Sequence, residues 1–291
     1  MNKVYLSFLG ATDYIPCTYF RENIGEVKNA RFVQQAMIGL FCKDWNQEDR
    51  ICIFTTNAAE TKNWNDNGHV RKYASECKGL KSCIDQFNLD VDVRNISIPE
   101  GKNEKEIWEV FQIIYDCINL NDEVIFDITH AFRSIPMLAI VVLNYAKVLK
   151  KINLKGIYYG AFETLGNPAE VGNIAIERRR VPILDFTTFD QLMDWTIGID
   201  RYIETGNSGM VSSLAMSGVQ PILKATKGKD LSAATVRELS RKLNIFASTI
   251  ATCRGQKIPE AASDLKNAIE RSGKLGLLPP FVPIFERLKQ Q

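Results

Sequence analysis

The chain has 291 residues, of which 45% are hydrophobic and 24% are charged, and its formal net charge is +2. This length suits one large domain or two ordinary ones. The small net charge provides no general basic field for a nucleic-acid duplex. Seven cysteines without a Cys-x-x-Cys pair, together with only two histidines, argue against a zinc site and predict reduced thiols. The sequence shows no signal peptide or 18-residue apolar run, so we expect a cytoplasmic protein without a membrane span.

The first strand is predicted at residues 4–9, an apolar run typical of a buried parallel strand. Gly10-Ala11-Thr12-Asp13 follows as a turn, and it lacks the Gly-x-Gly-x-x-Gly pattern of dinucleotide-binding domains. Residues 14–20 are rich in strand-forming side chains and predict a hairpin arm. The apolar spacing over residues 29–45 predicts a helix.

A second buried strand is predicted at residues 51–54, and Thr55-Thr56-Asn57 follows its end. Two interpretations of these polar residues stay open. Thr56 or Asn57 caps a helix N-terminus, or the three side chains face a ligand beside the neighbouring strand ends.

The middle of the chain continues to alternate strands with helices. We predict helices at 71–87 and 104–120, a half-exposed strand at 91–96, and further β segments at 154–163 and 174–183. Such alternation predicts βαβ units, and therefore an α/β fold with a mainly parallel sheet.

The most informative segment lies at residues 124–136, where a short apolar strand ends in Asp127-Ile128-Thr129-His130. An apolar helix then begins, with Ser134 as a candidate N-cap and Pro136 in the first turn. Free N–H groups at a helix start suit phosphate, and ligands of open α/β sheets bind at the carboxyl ends of strands. The alternative is that Asp127 and His130 only satisfy polar groups at a strand end.

From residue 187 the pattern is helical, with four predicted helices at 190–203, 210–225, 232–254 and 259–272. We therefore predict a Rossmann-like α/β domain at 1–183 and a smaller all-α domain at 184–291. Residues 236–250 have helix-turn-helix spacing with a turn near Asn244. Because Arg254 and Lys257 are the only cations of its recognition helix, we do not expect duplex DNA as a partner.

Four of these segments resemble one family. Asp127-x-Thr129-His130 followed by Ala-Phe-Arg-Ser is similar to the Asp-x-Thr-His-Gly signature of CRISPR-associated Rossmann-fold (CARF) proteins, with Ala131 in place of the glycine. The strand ending in Leu9-Gly10, the Thr55 segment with Asn63-Trp64, and Tyr159-Gly160-Ala161-Phe162-Glu163 resemble three further loops of that family in the same order. The order of residue types over 185–206 also resembles that family.

The resemblance implies a sensor of cyclic oligoadenylate in type III CRISPR defence, with cyclic tetra-adenylate as the expected messenger. It implies a homodimer around a ring of near-twofold symmetry, no cofactor and no metal. Backbone approach is expected at Gly10 and Ala11, with phosphate at the start of the helix after residue 130. Asp127 should orient its turn rather than contact an anion, since like charges repel. The full set of expected ligand-binding residues is Gly10, Ala11, Thr12, Thr55, Thr56, Asn57, Thr129, His130, Arg133, Gly160 and Ala161.

Relatives with this architecture commonly carry a C-terminal HEPN ribonuclease, marked by Arg, four to six residues and then His. No histidine follows His130, so this motif is not present. The helical part has lost the activity, the effector segment lies outside these 291 residues, or a different output operates. Two further alternatives are a ring nuclease that uses His130 or Arg133 to stabilise developing charge, and a transcription regulator with a helix-turn-helix.

Overall fold

The structure is a computed structural model that describes residues 1–69, 77–130 and 135–272. The chain divides into two compact units, Met1–Thr187 and the remainder from Thr188. The predicted domains at 1–183 and 184–291 stay a prediction.

The first unit contains one sheet of eight strands in the order β3-β2-β8-β7-β6-β1-β4-β5. The strands are β1 (Lys3–Leu9), β2 (Cys17–Arg21), β3 (Gly25–Ala30), β4 (Arg50–Thr55), β5 (Asp92–Ser97), β6 (Glu123–Asp127), β7 (Asn153–Gly160) and β8 (Arg180–Asp185). Neighbouring strands from β7 through β6, β1 and β4 to β5 are all parallel. The α/β fold class with a mainly parallel, Rossmann-like sheet followed by a helical part is therefore confirmed.

The remaining three strands extend the sheet beyond β7. Here β8 is antiparallel to β7 and parallel to β2, and β2 forms the predicted hairpin with β3. The helix predicted from Asn29 starts later, because β3 occupies Gly25–Ala30 and Asn29 has a positive φ of 55°. The β segment predicted from Ile174 is shorter, because a 3-10 turn at Ile176–Arg178 precedes β8.

Helices cover both faces of the sheet. One apolar cluster joins β1 and β4 to α1 (Val33–Phe41) and α3 (Leu80–Asp85). The other joins the same strands to α4 (Glu104–Asp116) and α5 (Ile135–Leu149). Short elements at the strand ends are α2 (Asn57–Ala59), a π turn at Glu60–Trp64, a 3-10 turn at Phe162–Leu165 and α6 (Pro168–Val171). The beginning of the helix predicted at 71–87 lies outside the described residues.

The second unit is helical, as predicted, with α7 (Thr187–Thr205), α8 (Gly209–Ala225), α9 (Leu231–Ala251) and α10 (Ile258–Ser272). Trp195, Leu243 and Leu265 lie in its apolar core. The candidate helix-turn-helix is wrong, because α9 continues without a turn through Asn244. Within the described ranges, no helix is long and apolar enough to cross a membrane.

Candidate ligand site at the carboxyl edge of the sheet

The site is set by the order in which the strands are connected. After β1 the chain forms the β2–β3 hairpin at the far edge of the sheet and then adds β4 and β5 on one side of β1. It afterwards returns to place β6 and β7 on the other side of β1. Helices α1 and α3 consequently pack on one face, and α4 and α5 pack on the opposite face. The connections diverge between β1 and β6, and such a switch point is where open α/β sheets bind ligands.

Asp127, the last residue of β6, is completely buried at this point and accepts four hydrogen bonds. Its carboxylate receives the hydroxyls of Tyr5 at 3.1 Å and Ser7 at 2.8 Å. It also receives the backbone N–H of Thr129 at 2.9 Å and the Thr129 hydroxyl at 2.5 Å. Burial raises the pKa of Asp127, while these hydrogen bonds oppose the rise. With four donors around it, Asp127 holds the turn and is not presented to a ligand.

Thr129 connects the ends of two neighbouring strands. Its Oγ1 donates to Asp127 and accepts the backbone N–H of Gly160, at the end of β7, at 2.8 Å. The single hydroxyl proton is therefore already used. For a ligand, Thr129 retains one oxygen lone pair and no donor.

His130 is half-buried and packs against Tyr14 in a tilted arrangement, with ring centroids 4.3 Å apart and an interplanar angle of 34°. Burial lowers the pKa of His130 from 6.5 to about 4, so the imidazole is neutral at physiological pH. Burial also raises the pKa of Tyr14 to about 12. A neutral imidazole offers one N–H donor and one acceptor rather than a cation.

The turn after β1 faces the Thr129–His130 turn across the switch point. A Cβ on Gly10 would lie 2.2 Å from the Tyr14 hydroxyl and 3.9 Å from the His130 Cβ. Only a residue without a side chain therefore leaves room for the Tyr14 hydroxyl. Thr12 is exposed, Ala11 is partly exposed, and the carbonyls of Gly10 and Thr12 accept hydrogen bonds from the buried Asn63. Their expected contact with a ligand stays a prediction.

The three polar residues at the end of β4 differ in whether their side chains are already hydrogen-bonded. Thr55 is buried and donates to Asn95 at 2.7 Å. Thr56 is the N-cap of α2 and accepts the N–H of Ala59, which fits one of the two interpretations left open. Asn57 is exposed and its side-chain amide has no partner among the described residues. Of this group, Asn57 has the freest hydrogen-bonding side chain.

Gly160 is the last residue of β7 and Ala161 follows it, and both are tightly packed. A Cβ on Gly160 would lie 2.5 Å from Cγ2 of Val33 on α1, so the glycine lets the helix pack closely. Its N–H is bonded to Thr129, and the N–H of Ala161 is bonded to the Pro182 carbonyl at 3.0 Å. Both residues are buried. Their expected contact with the ligand stays a prediction.

Arg133, and with it the Ala131–Ser134 part of the signature, lies outside the described residues. Sequence reasoning did not assign roles to Tyr14 or Asn63, which the fold places against Gly10. An aromatic residue four positions after a strand-end glycine was the available signal for Tyr14. No group of three or more His, Cys, Asp and Glu side chains suited to a metal ion occurs in the described part of the chain.

Comparison with known proteins agrees with this fold. Residues 4–163, more than half of the chain, match the family model described as the CARF domain of the CRISPR system endoribonuclease Csx1. The chain is also 34% identical over 148 residues to the CRISPR-associated protein MJ1674 of Methanocaldococcus jannaschii. That alignment covers 48% of this chain and only 22% of the relative. The matched region contains β1 to β7 and every turn of the site described above, and the chain belongs to the CARF-domain family of CRISPR-associated proteins.

Proposed function

We propose that this chain binds cyclic oligoadenylate, specifically cyclic tetra-adenylate, at the carboxyl edge of its sheet and passes the signal to an effector in type III CRISPR defence. One observation carries the proposal: in a CARF domain, the turns after β1 and β6 meet at the switch point with the Tyr14–His130 pair between them.

The chemistry of the edge fits a compact anion with many hydrogen-bonding groups. A neutral His130 donates one hydrogen bond to a phosphate or ribose oxygen without the desolvation cost of a buried cation. Asn57 adds an amide with both donor and acceptor capacity. The start of α5 at Ile135 provides the positive end of a 15-residue helix dipole beyond the His130 turn.

On the part of the chain that the structure describes, we favour binding over ring cleavage. A ring nuclease needs a group that removes a ribose 2′-hydroxyl proton or stabilises the developing charge. An imidazole whose pKa is about 4 is a weak base at neutral pH and carries no charge there. The Thr129 hydroxyl proton is engaged by Asp127.

The test is calorimetric titration with cyclic tri-, tetra- and hexa-adenylate, with linear tetra-adenylate as the matched control, followed by chromatography of the nucleotide. We expect the tetra-adenylate ring to bind tightest and to be recovered intact. Failure of every ring to bind would refute the proposal. Recovery of linear products would show that the protein is a ring nuclease.

We further propose that the binding unit is a homodimer formed through α5. One face of α5 packs on the sheet, with Ala139, Val142, Leu143 and Ala146 buried. The opposite face is also apolar, and it leaves Met137, Val141, Tyr145 and Val148 exposed by 75%, 54%, 48% and 64%. These positions repeat every three or four residues and form one continuous stripe. An apolar stripe of this kind marks an interaction surface, and a second copy would double the strand-end turns around a ring of near-twofold symmetry.

Light scattering with a ring titration tests the dimer. The wild type should show one ring per two chains, and ring should shift the equilibrium further toward the dimer by mass action. Val141→Glu should weaken dimerisation and ring binding together. Lys105→Glu, at an exposed polar position of α4, is the control and should change neither. A monomer that binds one ring per chain would contradict the dimer.

A further inference from the structure

Asn63 is a completely buried polar side chain whose two amide donors serve a single loop. Its Nδ2 donates to the carbonyl of Gly10 at 2.7 Å and to the carbonyl of Thr12 at 2.8 Å. Both carbonyls belong to the turn after β1, defined here as the β1 loop (residues 10–13). The amide comes from the segment after β4, so it joins the ends of two adjacent strands.

A π turn gives Asn63 this direction. The N–H of Asn65 bonds to the carbonyl of Glu60 at 3.0 Å, five residues back, within the π turn at Glu60–Trp64. Asn63 and Trp64 are both buried, although consecutive side chains on a helix point about 100° apart. The turn therefore sends Trp64 into the apolar core and Asn63 toward the β1 loop. Single π turns are rare and often occur at functional sites.

Arg31 fixes the other end of the Asn63 amide. Its Nη2 lies 3.5 Å from Asn63 Oδ1 and 3.1 Å from Asp13 Oδ1, so one guanidinium holds the amide and the last residue of the β1 loop. Its Nη1 donates to the carbonyl of Lys78 at 3.0 Å. Only 12% of the Arg31 side chain is exposed. Because Arg31 supplies the donor, the Asn63 oxygen must face it, which leaves both amide hydrogens for the loop.

We propose that Asn63 is a positioning residue for ligand binding, which holds the β1 loop in the one conformation that places Gly10 against Tyr14 and His130. This inference rests on the proposed function of the same site. Without the amide, two carbonyls lose their partners and the loop samples other conformations. Apparent affinity then falls in proportion to the fraction of molecules that keep the competent loop.

The decisive variant is Asn63→Asp, which keeps the size of the side chain but points an acceptor at two carbonyl oxygens. We expect affinity for cyclic tetra-adenylate to fall at least tenfold, and hydrogen exchange to rise in a peptide covering residues 9–14. Ile114→Ala, on the other face of the sheet, is the control for general destabilisation. It should lower the melting temperature without either effect.

The outcomes separate the two proposals. If the wild type binds no cyclic oligoadenylate, the proposed function fails, and the exchange measurement still decides whether Asn63 holds the loop. If the wild type binds and Asn63→Asp binds equally well, the positioning role is wrong. Loss of affinity in Ile114→Ala as large as in Asn63→Asp would also overturn it. Should Asn63→Asp not fold, Asn63→Ser, which keeps one hydroxyl donor, is tested by the same measurements.

Discussion

Replacing Thr129 by valine tests the brace between β6 and β7. Valine keeps the shape of the side chain but removes the hydroxyl that bonds Asp127 and the buried N–H of Gly160. An unsatisfied buried donor costs about 1–3 kcal/mol, and a lost hydrogen bond to a charged group costs about 1.5–3 kcal/mol. Asp127 keeps three other donors, which favours the lower part of that range. We expect Thr129→Val to lower the free energy of unfolding by about 3 kcal/mol.

Thr129→Ser is the matched control, because it keeps the hydroxyl and removes one methyl group. It should cost at most about 0.8 kcal/mol. Urea unfolding is followed by tryptophan fluorescence in a Trp195→Phe background, which leaves Trp45, Trp64 and Trp108 as reporters of the first unit. If the two variants agree within about 0.5 kcal/mol, which is near the error of the extrapolation, the hydroxyl does not brace the strand ends.

Three further outcomes are expected. The double variant His130→Ala/Arg133→Ala should weaken binding of cyclic tetra-adenylate by about 2–4 kcal/mol in calorimetry, and unchanged affinity would remove both residues from the site. Purified protein should not cleave a fluorescent RNA with or without cyclic oligoadenylate, because the Arg…His motif is not present; ligand-stimulated cleavage would reveal another active site. Burial lowers the pKa of His130 from 6.5 to about 4. Between these two values the unfolded chain binds a proton that the folded chain does not, so the free energy of unfolding should fall as pH drops from 6.5 toward 4. His130→Gln should show a smaller loss over that interval, and identical pH profiles would contradict the assignment.

The central strands could be predicted from sequence because their burial is visible in it. β1 and β4 were expected at residues 4–9 and 51–54 and are observed at Lys3–Leu9 and Arg50–Thr55. Both faces of these strands are covered by helices, so most positions are apolar. β3 could not be predicted in this way. It lies at the edge of the sheet, its residues are mostly polar and exposed, and its strand conformation depends on pairing with β2.

The meeting of the strand-end turns at one edge of the sheet was predictable from the sequence, but the hydrogen bonding of their polar groups was not. Turns after parallel strands meet at one edge of a sheet, which follows from chain order alone. Whether a hydroxyl is free depends on residues far along the chain. The hydroxyl oxygen of Thr129 accepts the N–H of Gly160, 31 residues away. The carbonyl of Gly10 accepts the amide of Asn63, 53 residues away. Sequence patterns identify such groups, but only packing decides which of them remain available to a ligand.

The π turn at Glu60–Trp64 makes the length of this segment as important as its composition. A π turn spans five residues per hydrogen bond where an α turn spans four, so deletion of Thr61 would let α2 continue as a regular helix. Residues beyond the turn would keep their places, because the four residues of an α turn cover about the same rotation as the five of a π turn, whereas Asn63, inside the turn, would be displaced around the helix axis. Asn63 would still be present in the sequence, yet its amide would no longer reach the β1 loop. In alignments of related chains, a one-residue gap between 57 and 64 would therefore signal a differently shaped β1 loop, even where each residue type is unchanged.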